Sequence, residues 1–593
     1  MNVTKWLVMV MLVVTMGFAV VVPNHEPYAK VTGEEPVGPA MDVQPRGGRQ
    51  SPGEQVGVTT YDFQANGCMG QRIAVDDTGQ IHVNWMFCPA EYPGNPRLCQ
   101  WNFRFPEGTW YGATDASPSV SGYVQLDVMR ADASNAKRTL NAWHYGGWGY
   151  TSIDEGSGWG SWPGDSGSPH VDNHIWPYVA CASNNNIIMA TGNNGEDFHH
   201  FYYTTDEGVT WTHLADIDSC TCLSQFVRAS HTSAKVVHAW TQGIAIDLAG
   251  TLISQMAMDV IYQISTDNGA TWGPQINITN YIPTSTMVNG DSTPWAYSDV
   301  NAVFDDNDNL HIAWGANLGY VLNDTIYYGD HWKIFHWDEV TDNIHVVSSP
   351  STHYSEPGGW WLDVSGTFRQ HTESWRGNPC GAQLVVNRSN NDLYCLWSGV
   401  ADTTDYSAAG WFNYEIYMSK STDGGVTWSD YTNLTNTPTP GAAAGECADE
   451  DYVSAYPYVV NDTIWVTYIE DVSAGSAIQQ LTGWMDNPVR VWGIGLVGIG
   501  EHETDTPTRI SFTVYPNPVN NRSTISYALP KASDVSIQLF SADGRLVKTV
   551  EQTNRSAGLY TKELSTHELA NGTYFLMLKT NQGKESRSLV VVH

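Results

Sequence analysis

Seven stretches of this chain alternate apolar and polar residues and then stop at a bulky or branched side chain. Five end in tryptophan: Ile81-His-Val-Asn-Trp85, Leu140-Asn-Ala-Trp143, Val237-His-Ala-Trp240, Leu310-His-Ile-Ala-Trp314 and Leu393-Tyr-Cys-Leu-Trp397. Ile187-Ile-Met-Ala-Thr191 and Ile464-Trp-Val-Thr-Tyr468 complete the series. Alternation with period 2 predicts β-strands that bury one face. Most follow a companion strand and a polar turn, most plainly Arg72-Ile-Ala-Val-Asp76-Asp-Thr-Gly79 and Asn301-Ala-Val-Phe-Asp305. The units recur at roughly 50 to 80 residues, a spacing that suits propeller blades with variable loops. Seven blades are expected, with six as the alternative.

A second repeat punctuates the first. Thr204-Thr-Asp206-Glu-Gly208-Val-Thr210-Trp211, Ser265-Thr-Asp267-Asn-Gly269-Ala-Thr271-Trp272 and Ser421-Thr-Asp423-Gly-Gly425-Val-Thr427-Trp428 share the pattern S/T-x-D-x-G-x-T-W. Its chemistry is that of a turn: Asp accepts backbone hydrogen bonds within its own loop, Gly supplies a positive φ, and Trp packs between sheets. The pattern resembles the Asp box, or BNR repeat, of sialidase-like β-propellers. Ser152-Ile-Asp154-Glu-Gly156-Ser-Gly-Trp159 is a degenerate echo, and Pro106-Glu-Gly108-Thr-Trp110 a weaker one. The resemblance implies an all-β propeller from about residue 56 to 500, and it implies architecture more than activity.

The ends read differently. An apolar run from Trp6 to Val22 behind Lys5 looks like a signal peptide (1–22), followed by a Pro/Gly-rich leader (23–55). After a polar linker (501–511), residues 512–593 form a separate β-module that starts Phe512-Thr-Val-Tyr515-Pro516-Asn517-Pro518. It continues with the Asp543-Gly544 hairpin and Gly572-Thr-Tyr574-Phe-Leu. The order resembles the type A C-terminal sorting domain of the type IX secretion system, a small immunoglobulin-like sandwich. That resemblance implies the secretion machinery as a partner and an extracellular or cell-surface destination.

Composition narrows the partners. The net charge is −34, yet residues 512–593 hold nine Lys/Arg against six Asp/Glu, so the acidity belongs to the rest of the chain. Such a surface repels nucleic acid, and nothing past the leader is apolar enough to span a membrane. Nine cysteines in an exported chain permit disulfides, with Cys380 and Cys395 the best pair.

Sialidases of this fold use three arginines, a Tyr–Glu pair and an Asp. The F/Y-R-I-P segment is not recognisable here; the nearest text is Gln71-Arg72-Ile73-Ala74, and Arg72, Arg130 and Arg228 lie near inner strands of three blades. An arginine triad is therefore not identified, and the expectation leans away from an enzyme. The longest loop into an innermost strand, 349–381, carries the strongest ligand candidates: His353, Tyr354, Trp360, Trp361, Arg369 and Arg376. Its acids Glu356, Asp363 and Glu373 are the candidate catalytic carboxylates. The same loop could instead plug the channel. No cofactor is expected unless it is Ca2+, for which Asp305 and Asp308 or the acidic loop Glu446–Asp451 are the candidates. His199 and His200 are neighbours on one strand and so face opposite sides, unable to share a metal easily. The function expected is binding of extracellular glycan or protein, with a polysaccharide hydrolase or lyase as the alternative.

Overall fold

The computed structural model describes residues 50–496 and 511–591, apart from 66, 91–95, 119, 164–173, 194–198, 218–219, 247–251, 323–324, 348–360, 363–367, 370–376, 401, 403, 479–480, 516–518, 520–521, 530, 542–543, 557 and 582. Contacts divide the chain into two compact units, with the boundary in the sequence between Ile494 and Gly495.

The first unit is a β-propeller. Its seven innermost strands are Ile73–Val75, Gly122–Val128, His174–Cys181, Cys220–Ala229, Ser292–Phe304, Cys380–Asn387 and Asp449–Ala455. Each leads outward through antiparallel partners, and each lies beside the next around a ring. The tryptophan-terminated stretches are the second strands, and Trp85, Trp143, Trp240, Trp314 and Trp397 are fully buried. Blade 2 has three strands among the described residues, and blades 4 and 5 join through one pair, Met258 with Ala296. Blade 7 is completed by the N-terminal strand Glu54–Thr59, which pairs with Asn487–Gly495.

Neighbouring innermost strands are too splayed to share a full ladder, so polar side chains bridge them. Asp127 Oδ2 accepts from Cys181 N (2.8 Å), Asn301 Oδ1 from Leu384 N (3.0 Å) and Gln383 Oε1 from Ala455 N (3.2 Å). Each bond satisfies a buried amide that would otherwise cost about 1–3 kcal/mol. This explains why polar residues occupy the centre of the ring.

The repeated turns fasten blades together. Asp267 accepts from Thr271 N (2.8 Å) and Thr271 Oγ1 (2.6 Å), while Ser265 Oγ accepts from Gly269 N (2.9 Å). Asp206 and Asp423 repeat the arrangement, with Gly208 N and Gly425 N bonded to Thr204 and Ser421. Half-buried Trp272 packs edge-on against Phe201 of blade 3 (4.6 Å between centroids), and Trp428 against His336 of blade 5 (5.3 Å). Half-buried Trp211 packs on the cluster of blades 2 and 3. Gly425 has φ 91°, and a Cβ there would overlap the His336 ring. The echo at Asp154 departs from this scheme. Asp154 organises its turn by accepting from Trp159 N, Gly160 N and Ser161 N, but Trp159 is 65 % exposed.

The expected Cys380–Cys395 disulfide is not formed. Cys380 pairs in register with Ser398 and Cys395 with Leu384, and Cys395 is a buried thiol. Two cysteines on adjacent strands make no bridge when the register sets them apart.

The second unit is a sandwich of a three-stranded sheet (Ser511–Tyr515, Arg522–Leu529, Gly558–Ser565) and a four-stranded one (Ser533–Ser541, Leu546–Arg555, Gly572–Thr580, Gly583–Val591). Phe512, Ile525, Ile537, Leu539, Leu576 and Leu589 lie in its core. Gly544, at φ 80°, turns the hairpin between Ser541 and Arg545. Among the described residues of the chain, no helix is long and apolar enough to cross a membrane.

Candidate functional site at the channel mouth

The loop 349–381 contributes little that the structure describes. His353, Tyr354, Glu356, Trp360, Asp363, Glu373 and Arg376 lie outside the described residues. Trp361 and Arg369 are register partners in a short ribbon, Trp361–Leu362 with Phe368–Arg369, described by its backbone.

The channel has two ends. At the end where loops lead into the innermost strands, a different segment forms a plug. Residues 61–65 and 68–71 are buried, and they reach across the ring. Tyr178 of blade 3 donates to Cys68 O (2.8 Å), Val300 of blade 5 donates to Cys68 Sγ (3.3 Å), and Ala477 N beyond blade 7 donates to Asp62. Beneath the plug, innermost strands are bulged, and Tyr123, Trp176 and Tyr452 take φ of 51°, 52° and 57°. Large side chains at positive φ cost about 1–3 kcal/mol each and are held only by their surroundings. Trp176 N donates to His144 Nδ1 (3.1 Å), which places that imidazole's proton on Nε2, and Tyr123 stacks on the ring at 5.5 Å. Arg72 is turned toward this end, held by the Gln64 side chain and backbone, and burial lowers its pKa to about 10.

The other end is open. There each innermost strand turns into the second strand of its blade, and the repeated turns share the face: Asn268 N donates to Ala234 O, and Arg138 pairs with Glu207 at 2.7 Å. A cavity of about 240 Å³ lies at this mouth, walled by the ends of the innermost strands of blades 1, 2, 3, 4 and 7. Its polar lining includes Asp76, Asp77, Asp127, Arg130, Lys137, His231 and Tyr456.

Arg130 anchors the wall. It donates to Ala229 O (3.2 Å) and Ser230 O (3.0 Å) and stands 3.5 Å from Asp127. Burial opposes its charge, but Asp127 and the nearby Tyr458 outweigh burial and hold its pKa above the ordinary value. Lys137 Nζ donates to Asp132 O and lies 3.5 Å from Asp77. His231 is exposed at its edge, while its ring packs 5.2 Å from that of Tyr458. Partial desolvation first, then Arg388 and Arg130, depress its pKa to about 4, so at neutral pH it is an uncharged base. Tyr458 is buried with its hydroxyl unpartnered; burial raises its pKa against the pull of Arg130, Arg228 and Arg388.

Of the three arginines singled out by sequence, Arg130 and Arg228 therefore converge beside Tyr458, joined by Arg388 (5.7 Å from the Tyr458 ring), and Arg72 does not. His231, Lys137, Tyr456 and Tyr458 escaped sequence reasoning because distant turns bring them together. One signal was present: Asp76, Arg130, His231, Arg388 and Tyr456 each fall one or two residues past the end of an innermost strand.

The candidate metal residues have other roles. Asp305 accepts from Asn309 N (2.8 Å) and Asn309 Nδ2 (3.1 Å), as a hairpin turn requires. Asp308 accepts from Ser230 Oγ and stands 3.6 Å from Lys235. The acidic stretch 446–451 is a loop only as far as Ala448, because Asp449, Glu450 and Asp451 begin the innermost strand of blade 7; there Glu450 is buried, its Oε1 accepts from Ser51 and Thr437, and Oε2 has no partner. Burial, reinforced by Glu415 and Glu470, pushes its pKa up to about 8.

Residues 513–592 match the family model described as a secretion system C-terminal sorting domain. The chain thus carries a type IX sorting domain and is secreted across the outer membrane to the cell surface or beyond. No curated protein matches the sequence. Among solved structures it is similar to a polysaccharide lyase, an ulvan lyase bound to -[GlcA(1-4)Rha3S]-, at 10% identity over 75% of this chain and 96% of that one (TM-score 0.47). It is also similar to an oligogalacturonate lyase in complex with manganese (7%, 77% and 98%, TM-score 0.36). A third is the hydrazine synthase of Kuenenia stuttgartiensis (10%, 73% and 97%, TM-score 0.37).

Proposed function

We propose that the exported propeller binds extracellular polysaccharide and seats one acidic sugar residue in the channel mouth beside Arg130. The observation that carries this reading is the cavity itself. Its volume of about 240 Å³ is far above the roughly 30 Å³ share of one water and just below the range of about 300–1,000 Å³ typical of small-molecule sites. Arg130 and Lys137 would meet a carboxylate, Asp77 would accept sugar hydroxyls, and Tyr456 would offer ring surface. In this reading the S/T-x-D-x-G-x-T-W turns mark a sialidase-like propeller that lacks the sialidase arginine triad. Trp360 and Trp361 would add stacking contacts for a second stretch of polysaccharide.

One observation favours a second reading, β-elimination. Neutral His231 could take the proton α to a sugar carboxylate held by Arg130; the C–O bond at the β carbon would break, its oxygen leaving as an alcohol with a proton from water, and a C=C bond would form. A glycan array probed with the whole exported protein tests the first reading, and ultraviolet absorbance of an unsaturated uronate tests the second. Binding confined to uronate-bearing glycans, weakened at least about tenfold by Arg130→Ala (about 1.4 kcal/mol), supports the binding module. Equal binding by the variant removes the mouth from the reading, and an unsaturated product replaces binding with lyase chemistry.

A further inference from the structure

On the outer half of blade 3, strands His199–Thr204 and Thr212–Ile217 pair with His200 opposite Asp216 and Tyr202 opposite His213. Residues three apart on a regular strand, such as His213 and Asp216, point to opposite faces. Here the register slips between the pairs Phe201–Ala215 and Tyr202–His213, leaving Leu214 as the extra residue of a bulge. The bulge brings His213 round to the face that holds Asp216 and His200, the re-aiming that bulges perform. His200 Nδ1 lies 2.6 Å and His213 Nε2 2.8 Å from the same oxygen, Asp216 Oδ1. One ligand atom from each residue lies within 4.8 Å of the other two, and no other trio of His, Cys, Asp or Glu among the described residues does so. His199 points the other way, with its ring 6.3 Å from that of His238.

We propose that His200, His213 and Asp216 form a zinc-binding site on the flank of the propeller. Two imidazoles and one carboxylate suit Zn2+, whereas Ca2+ and Mg2+ take oxygen ligands. Zn–N and Zn–O bonds of about 2.0–2.2 Å set tetrahedral ligand atoms about 3.3 Å apart. The two N···O separations must therefore open by about 0.5–0.7 Å, a small rotation for His213 and Asp216, which are half exposed. Each neutral imidazole moves its proton to its other nitrogen and offers the metal the lone pair now facing Asp216. Three protein ligands leave a fourth position open to water or to a group from outside the chain.

The test uses untagged, chelator-stripped exported protein titrated with Zn2+ against a chromophoric zinc indicator. One Zn2+ per chain is expected, with a melting temperature that rises on adding zinc and falls back with EDTA. Asp216→Asn and His213→Ala should each weaken binding more than about tenfold, while their melting temperatures in EDTA match the parent protein. His345→Ala, which removes a histidine of blade 5 that stands 4.0 Å from Asp338, should bind zinc as the parent does. Absence of zinc binding by the parent protein, or unchanged affinity in both site variants, overturns the proposal.

Discussion

Glu450→Gln should make the propeller more stable at alkaline pH and leave it nearly unchanged in mild acid. The carboxyl of Glu450 is fully buried, its pKa is pushed from the ordinary 4.5 to about 8, and Oε2 has no partner. The folded protein therefore holds this proton through a range in which the unfolded chain has released it. A proton bound more tightly by the folded state makes unfolding easier as pH rises, so stability is lost between about pH 4.5 and 8. At about 1.4 kcal/mol per pKa unit the loss approaches 5 kcal/mol, and relaxation around the charge brings the expected figure to about 2–3 kcal/mol. A glutamine keeps the oxygen that accepts from Ser51 and Thr437 and cannot ionise. Urea unfolding at pH 5 and pH 8 measures the effect, followed by tryptophan fluorescence, which reports the propeller because no tryptophan follows Trp492. Asp62, with a pKa raised to about 7, and Asp405, raised to about 6, titrate in both proteins and cancel in the difference. The variant should gain about 2–3 kcal/mol on the parent between the two pH values. A stability gap that does not change with pH refutes the reasoning.

Other outcomes follow from the same geometry. Gly425→Ala puts a Cβ into the His336 ring at a positive φ; a destabilisation of about 2 kcal/mol or more is expected in thermal melts, and a loss below about 0.5 kcal/mol contradicts the stapling role of that turn. Trp397→Ala removes a fully buried indole from blade 6 and should cost about 3–5 kcal/mol, read from the urea midpoint. His231, with a pKa depressed to about 4, stays neutral in the folded protein while the unfolded chain protonates near 6.5. Stability should therefore fall as pH drops from 6.5 toward 4, and His231→Gln should flatten that fall; identical profiles argue against the depressed pKa.

The architecture was legible because it is periodic. Buried strands such as Ile81–Phe87 and Leu310–Leu322 alternate strictly enough to be read one by one, and the turns at Asp206, Asp267 and Asp423 state their geometry in eight residues. The exceptions have local causes. Trp159 follows an Asp that bonds to residues 159–161 in place of a Thr, so its ring swings outward. The plug formed by residues 61–65 and 68–71 was not legible because its apolar residues have no period, yet it is buried, in contact with strands more than a hundred residues away. The mouth cavity and the His200–His213–Asp216 trio were illegible for a related reason. One is assembled from five separate turns, and the other depends on a single-residue slip that alternation rules do not foresee.

The strand Glu54–Thr59 gives the propeller an order of assembly. Six blades can form from contiguous chain, but the seventh needs Val491 to meet Glu54, more than four hundred residues earlier. The entropic cost of that meeting grows only logarithmically with loop length, so length is no obstacle, but the contact comes late. Until it forms, Asn487–Gly495 is an open sheet edge able to recruit another chain. The strand pairs that shut the ring all fall between Glu54 and Val491, so cutting the chain beyond Gly495 breaks none of them.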